Sequence, residues 1–251
     1  MPLLQPGEPP AFTAENLAGR SPCLLLCEHA SNRIPRALGD LGLPPGEIER
    51  HIGRDIGALV MARALSRHLD AALFSTGYSR LVIDCNRPLS RPGSIPEISE
   101  ETVVPGNLGL SAADRAARQN ELFHPFHDAV TAHLDATPAR RCVIGVHSFT
   151  PSYRGVSRPW EAGFLYASAG RFAAPMMEGL RAQGFTVGDN EPYVIDADDY
   201  TVPVHGEARG LPSLLIEIRQ DLIAHDAAAL DWARRLAPLI ARAIASVTED
   251  A

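Results

Sequence analysis

Three short, continuous apolar runs in this chain end in, or run into, an ionisable residue. Residues 22–27, Pro-Cys-Leu-Leu-Leu-Cys, lead into Glu28 and His29. Residues 142–146, Cys-Val-Ile-Gly-Val, lead into His147. Residues 214–218, Leu-Leu-Ile-Glu-Ile, carry Glu217 inside the run. Runs this short, without polar alternation, fit strands buried on both faces, and such strands belong to parallel sheets covered by helices. Helical patterns separate the runs, so the sequence predicts an α/β fold: one domain over residues 1–251, built as three layers α/β/α around a mostly parallel sheet, after an irregular segment at residues 1–20. Hydrophobic residues make up 45% of the chain, enough for a core of that kind.

The intervening segments can be placed more coarsely. Asp55 opens a helix with Ile56, Leu59, Val60, Ala64 and Leu69 as its apolar stripe. Residues 72–75 and 80–87 read as strands, the second with polar residues at both ends. Four prolines interrupt residues 88–110, which read as a long ordered loop, the kind of loop that is often functional. Residues 111–136 read as helix with a kink or break at Pro125. A strand follows over 162–167, then a helix over 171–183. A C-terminal helix carries Ala233, Ala237, Ile240, Ile244 and Val247 at helical spacing.

Net charge is −7, which argues against nucleic acid or an anionic membrane as partner. A small anionic substrate remains compatible, because local arginines act over shorter range than the net charge. The four cysteines form no Cys-x-x-Cys pair and sit mostly in apolar runs, as reduced core thiols do. No apolar run approaches the ~18 residues of a membrane span. The expected location is the cytoplasm.

A parallel sheet gathers the ends of its strands at one edge, and open α/β sheets place their chemistry there. His29, His147 and Glu217 then become neighbours. Two histidines and a carboxylate in one cleft suit a catalytic divalent cation with an open coordination position. Nucleophilic hydrolysis by Ser148 or Cys27 is the competing class, although no Gly-x-Ser-x-Gly turn surrounds Ser148. A non-catalytic binding domain is a third.

Five blocks carry a family resemblance: Cys27-Glu28-His29-Ala30-Ser31, Gly53-Arg54-Asp55-Ile56-Gly57, the stretch from Ser79-Arg80 to Asp84-Cys85-Asn86-Arg87, Val146-His147-Ser148, and Glu217-Ile218-Arg219-Gln220-Asp221. Together and in this order they resemble the N-formylglutamate amidohydrolase family, itself similar in fold to the zinc carboxypeptidases and the aspartoacylase group. The resemblance implies a zinc carboxypeptidase-like fold and one bound divalent metal ion, zinc. His29 and His147 would be metal ligands. Asn86 and Arg87 would grip a substrate carboxylate, since a guanidinium offers paired donors. Arg80 would polarise the scissile carbonyl or hold a second carboxylate. Glu217 would be the general base for the attacking water. The implied reaction is hydrolysis of an N-acyl amino acid, with N-formyl-L-glutamate giving formate and glutamate as the named case.

The carboxypeptidase pattern His-x-x-Glu is replaced here by His29-Ala30-Ser31-Asn32, so the carboxylate ligand must come from elsewhere. Asp55 is the expected ligand, with helix N-capping as its alternative role. Glu28 is the second choice, but strand alternation points it away from His29. Asp84 is expected to orient Arg80 or a ligand histidine. His205 is expected to bind substrate or stabilise the developing oxyanion. Arg154 and Arg158 are expected near the cleft, and the remaining histidines, His127 among them, in solvated or structural places. Glu217 and Arg219 share a strand face, so a buried ion pair is the alternative to catalysis for Glu217.

Overall fold

Side chains that alternate along the buried strands divide the interior into two apolar layers. The computed structural model describes residues 2–140 and 142–249, with side chains described as far as residue 246. Its main sheet has seven strands. In chain order they are β1 (Phe12–Glu15), β2 (Cys23–Cys27), β3 (Ala72–Thr76), then, after the small hairpin β4 (Ile98–Ser99) and β5 (Thr102–Val103), β6 (Cys142–Phe149). A second small hairpin, β7 (Ser152–Tyr153) and β8 (Val156–Ser157), precedes β9 (Ala162–Leu165), β10 (Val187–Asp189) and β11 (Ser213–Arg219). The order across the sheet is β1-β3-β2-β6-β11-β9-β10. Strands β3, β2, β6 and β11 run parallel; β1 joins β3 antiparallel and β9 joins β11 antiparallel, while β10 pairs parallel with β9.

Leu25, Cys27, Ile144, Val146, Ile216 and Ile218 point to one face. There they pack with helices α1 (Ala58–Leu69), α4 (Gly170–Arg181) and α5 (Asp226–Glu249). Leu24, Leu26 and Val143 point to the other face, against Phe126, Val130 and Leu134 of α3 (His124–Ala136). Helix α2 (Ala112–Arg118) precedes α3. The expected three-layer α/β/α architecture with a mostly parallel sheet is present. No helix among the described residues is long and apolar enough to cross a membrane.

Several local expectations are corrected. Residues 1–20 are not wholly irregular, because β1 pairs with β3 and shields that edge. Residues 80–87 are a series of turns and not a strand. The Asp84 carboxylate accepts the Asn86 N–H, and Arg118 from α2 takes the Val82 carbonyl that a neighbouring strand would have used. Leu81, Val82 and Ile83 are still buried, but against the α3 layer. Asp55 does not cap α1, which starts at Ala58 after Gly57 in a left-handed conformation with no side-chain cap. The buried residues of α1 are Ala58, Met61, Ala62, Ala64, Leu65 and Ser66, with Leu59, Val60 and Leu69 flanking them. The break near Pro125 is a π-helical turn over Gln119–Phe123, directly before the first turn of α3, which carries the proline.

Candidate active site

His147 and Glu217 are register partners on the adjacent parallel strands β6 and β11. Register partners face the same side of a sheet, about 4.8 Å apart along the hydrogen-bonding direction. Both therefore project from the face opposite α1, α4 and α5. Gly145 lies two residues before His147 on that face. A methyl group there would meet the His147 ring at 3.3 Å and a Leu215 methyl group at 2.3 Å. Glycine there makes room chiefly for the Leu215 side chain and, less strictly, for the imidazole.

His29 follows the end of β2, and its carbonyl accepts the Asp55 N–H at 2.9 Å. That bond ties the turn before α1 to the strand end. It brings the Asp55 carboxylate against His147, with Oδ2 at 2.8 Å from Nδ1, and the Ser148 N–H donates to the same oxygen at 3.2 Å. His29 Nδ1 lies 3.4 Å from Asp55 Oδ2 and 3.2 Å from His147 Nδ1. The three side chains are buried, with ligand atoms all within 4.8 Å of one another.

Both imidazoles turn Nδ1 inward and Nε2 toward a buried carboxylate. His29 Nε2 meets Asp84 Oδ1 at 2.7 Å. His147 Nε2 is 2.9 Å from Glu28 Oε2, a close ion-pair contact rather than an aligned hydrogen bond. An imidazole whose Nε2–H faces a carboxylate keeps a lone pair on Nδ1, and this is the outer arrangement that metal-ligating histidines use. Arg80 grips Asp84 through Nε and Nη2 at 3.1 and 2.9 Å and reaches Asp55 at 3.4 Å.

Burial alone would push all three carboxyls up. The neighbouring cations win. Beside the His29 and His147 rings Asp55 is held well below the carboxylate range, as is Asp84 beside Arg80 and His29. Glu28 is lowered to about 2, chiefly by the adjacent His147. With both imidazoles neutral, as metal ligation requires, the Asp55, Asp84 and Glu28 carboxylates would outnumber the one guanidinium, and two imidazole nitrogens and a carboxylate oxygen facing one another fit a divalent cation.

Glu217 behaves differently. Burial, reinforced by Asp55, pushes its carboxyl up to about 7, and its Oε2 is buried without a hydrogen-bond partner. It is not in an ion pair: Arg219 turns to Asp221, and Arg80 to Asp84 and Asp55. Raised carboxyls inside a cleft are typical of proton-transferring groups.

A cleft of about 650 Å³ opens over these residues. His29, Asp55, Arg80, Asn86, Arg87, His147 and Glu217 all line it, and Tyr193 overhangs it. The segment carrying Tyr193 crosses the sheet closely, so a methyl group on Gly163 would meet the Glu191 carbonyl at 2.1 Å. Arg158 does not line the cleft. Buried against the rings of Tyr153 and Tyr193, it donates to the Tyr193 hydroxyl at 2.8 Å. Arg154 also lies outside the cleft.

His205 is the site expectation that the structure does not bring into the cleft. It is buried against α3, outside the cleft lining, in a π-helical turn, stacked on His127 and hydrogen-bonded to it at 2.8 Å between Nε2 and Nδ1. His127 in turn meets the Cys85 carbonyl and is buried. Substrate contact by His205 has no route in this packing. Asn86 and Arg87 reach the cleft wall, but both already hold Asp199, at 3.3 and 2.9 Å. The nucleophile alternatives also fail on geometry. Ser148 Oγ donates to the Ile56 carbonyl, and Cys27 is fully buried with its thiol pushed well up by that burial. Glu28, the second choice for the carboxylate ligand, stands instead against Nε2 of His147; Tyr193 had no signal in the sequence.

A family model described as N-formylglutamate amidohydrolase matches residues 21–224. A gene product of Agrobacterium tumefaciens has a solved structure with TM-score 0.94 and 39% identity, covering 98% of this chain and 99% of that one. The solved N-formylglutamate amidohydrolase from Ralstonia eutropha JMP134 shares the fold at TM-score 0.74 and 20% identity, covering 96% and 99%. A search of curated proteins finds no match to this sequence. With the matched region spanning every residue of the cluster described above, the chain belongs to the N-formylglutamate amidohydrolase family.

Proposed function

We propose that this amidohydrolase-family chain is a zinc-dependent hydrolase of N-acyl amino acids, with N-formyl-L-glutamate the first substrate to test. One observation carries the reading: Glu217, with a raised carboxyl and no ion pair, faces the His29–Asp55–His147 cluster across one strand spacing at the floor of an open cleft.

His29 and His147 through Nδ1, with Asp55 through a carboxylate oxygen, would hold the ion, and two nitrogens with one oxygen suit zinc. A bound ion supplies Lewis acidity and makes a nearby water more acidic. Glu217 accepts the proton as the water oxygen attacks the acyl carbon, then returns it to the amine nitrogen as the C–N bond breaks. Arg80 turns a partly exposed guanidinium to the cleft, where its charge favours the oxygen that becomes negative. Asn86 and Arg87 are the proposed partners of a substrate carboxylate. The proposed ligands include no nucleic acid and no membrane.

The test is turnover of N-formyl, N-acetyl and N-succinyl amino acids by the zinc-loaded protein, with a chelator arm. Activity that a chelator abolishes and zinc restores is the expected result. Turnover indifferent to chelation, or none on any acyl amino acid, overturns the reading.

A further inference from the structure

Apart from the two histidines of the proposed metal cluster, every cationic side chain lining the cleft among the described residues is matched to a carboxylate. Arg80 pairs with Asp84 and Asp55, His51 lies 3.0 Å from Glu100, and Arg87 pairs with Asp199. Asp196, Asp198 and Glu191 add further acid to the rim. An arriving carboxylate therefore finds no unmatched arginine. Asp55 and Asp84 also hold the two histidines, so their pairs with Arg80 cannot be given up without disturbing the cluster. Asp199 has no such duty.

The Asp199 Oδ1 receives Arg87 Nη1 at 2.9 Å and Asn86 Nδ2 at 3.3 Å; its Oδ2 takes only the Asp196 N–H, at 3.0 Å. Two donors from adjacent residues thus converge on one carboxylate oxygen at the cleft wall. We infer that Asp199 is a specificity-determining residue: its carboxylate occupies the Asn86–Arg87 donor pair and competes there with the carboxylate of the substrate. The inference rests on the proposed reading of this cleft, in which those two residues receive the substrate's carboxylate.

The surrounding bonds make the exchange local. Asn86 Oδ1 accepts the N–H groups of Tyr200 and Thr201 at 3.3 and 3.0 Å, so the backbone just after Asp199 stays docked when its side chain leaves. Arg87 Nη1 keeps the carbonyls of Asn86 and Asp198, each at 3.1 Å. What changes is the charge partner of Arg87, and the Asp196 N–H gives up its bond to Asp199. A ligand lacking a carboxylate gains nothing by displacing Asp199, so the residue acts on anionic ligands alone.

The test compares the zinc-loaded protein with Asp199→Asn by calorimetric titration with glutarate and, as the neutral control, glutaramide. Removing one competing charge should tighten glutarate about tenfold, equivalent to about 1.4 kcal/mol. Glutaramide should be unaffected. The gain should vanish in Asp199→Asn/Arg87→Ala, and Asp199→Ala should repeat the direction of Asp199→Asn. With N-formyl-L-glutamate as substrate the change should appear in KM. Unchanged or weaker glutarate binding in Asp199→Asn, or a gain that survives Arg87→Ala, overturns the inference. A protein that turns over no acyl amino acid but shows the expected titrations loses its proposed activity while Asp199 keeps this role.

Discussion

Replacing Glu217 by glutamine separates catalysis from burial, because the change removes a charge and almost no volume. In the folded protein the carboxyl is pushed up from 4.5 to about 7. A difference of that size, at 1.36 kcal/mol per pKa unit, makes ionised Glu217 about 3 kcal/mol less favourable in the fold than in the unfolded chain. The sign follows from proton binding. Between pH 4.5 and 7 the folded chain keeps a proton that the unfolded chain has released, so stability is fully present below 4.5 and is lost as pH rises through 7. Glutamine has no such dependence. Urea unfolding of the metal-free proteins at pH 5 and pH 8 should therefore show Glu217→Gln gaining about 2–3 kcal/mol on the parent between the two conditions. In the zinc-loaded enzyme the same variant should retain its metal and its KM, while kcat falls by roughly 10²–10⁴-fold for want of a proton acceptor. Near-normal turnover would remove Glu217 from the proton transfer. A stability difference that is flat with pH would show that the carboxyl is not desolvated as the packing requires.

Elemental analysis should find stoichiometric zinc in the parent and substoichiometric zinc in His29→Ala, His147→Ala and Asp55→Ala; full occupancy in all three refutes the proposed ligand set. Glu28→Gln should weaken zinc binding by about 10–100-fold, as loss of a carboxylate behind a ligand histidine typically does, without removing a ligand atom. Competition against a chromophoric chelator measures this, and an unchanged affinity leaves Glu28 without a part in orienting His147. Acid should destabilise the fold through the His205–His127 pair. Burial lowers His205 to about 4 and His127 to about 3, so both stay neutral in the fold while the unfolded chain takes up protons below pH 6.5. Stability is present above 6.5 and is lost as pH falls to 4, by about 3 kcal/mol for His205 alone. Unfolding midpoints between pH 7 and 4 should show this loss, and His205→Asn should blunt it.

The buried strands and their polar ends were legible in the sequence, because a strand covered on both faces must be apolar throughout and Glu28, His29, His147 and Glu217 break that rule. Residues 80–87 misled for the same reason. Leu81, Val82 and Ile83 are as apolar as any strand, yet the turn is set by the Asp84 carboxylate and by Arg118, which arrives from 36 residues away. Composition records that a residue is buried and not which backbone groups satisfy it. His205 failed similarly: a histidine near a strand reads the same whether it enters the cleft or stacks on His127 outside it. Sequence alone determined the layers, the sheet and the residue types that meet at its edge, since these follow from periodicity and burial. Only the tertiary structure decided that Nδ1 of each histidine faces inward, that Glu28 stands behind His147, and that Asp199 already fills the Asn86–Arg87 pair. Those contacts join residues up to 119 positions apart, and their energies depend on distance and angle, quantities that exist only once the chain has closed.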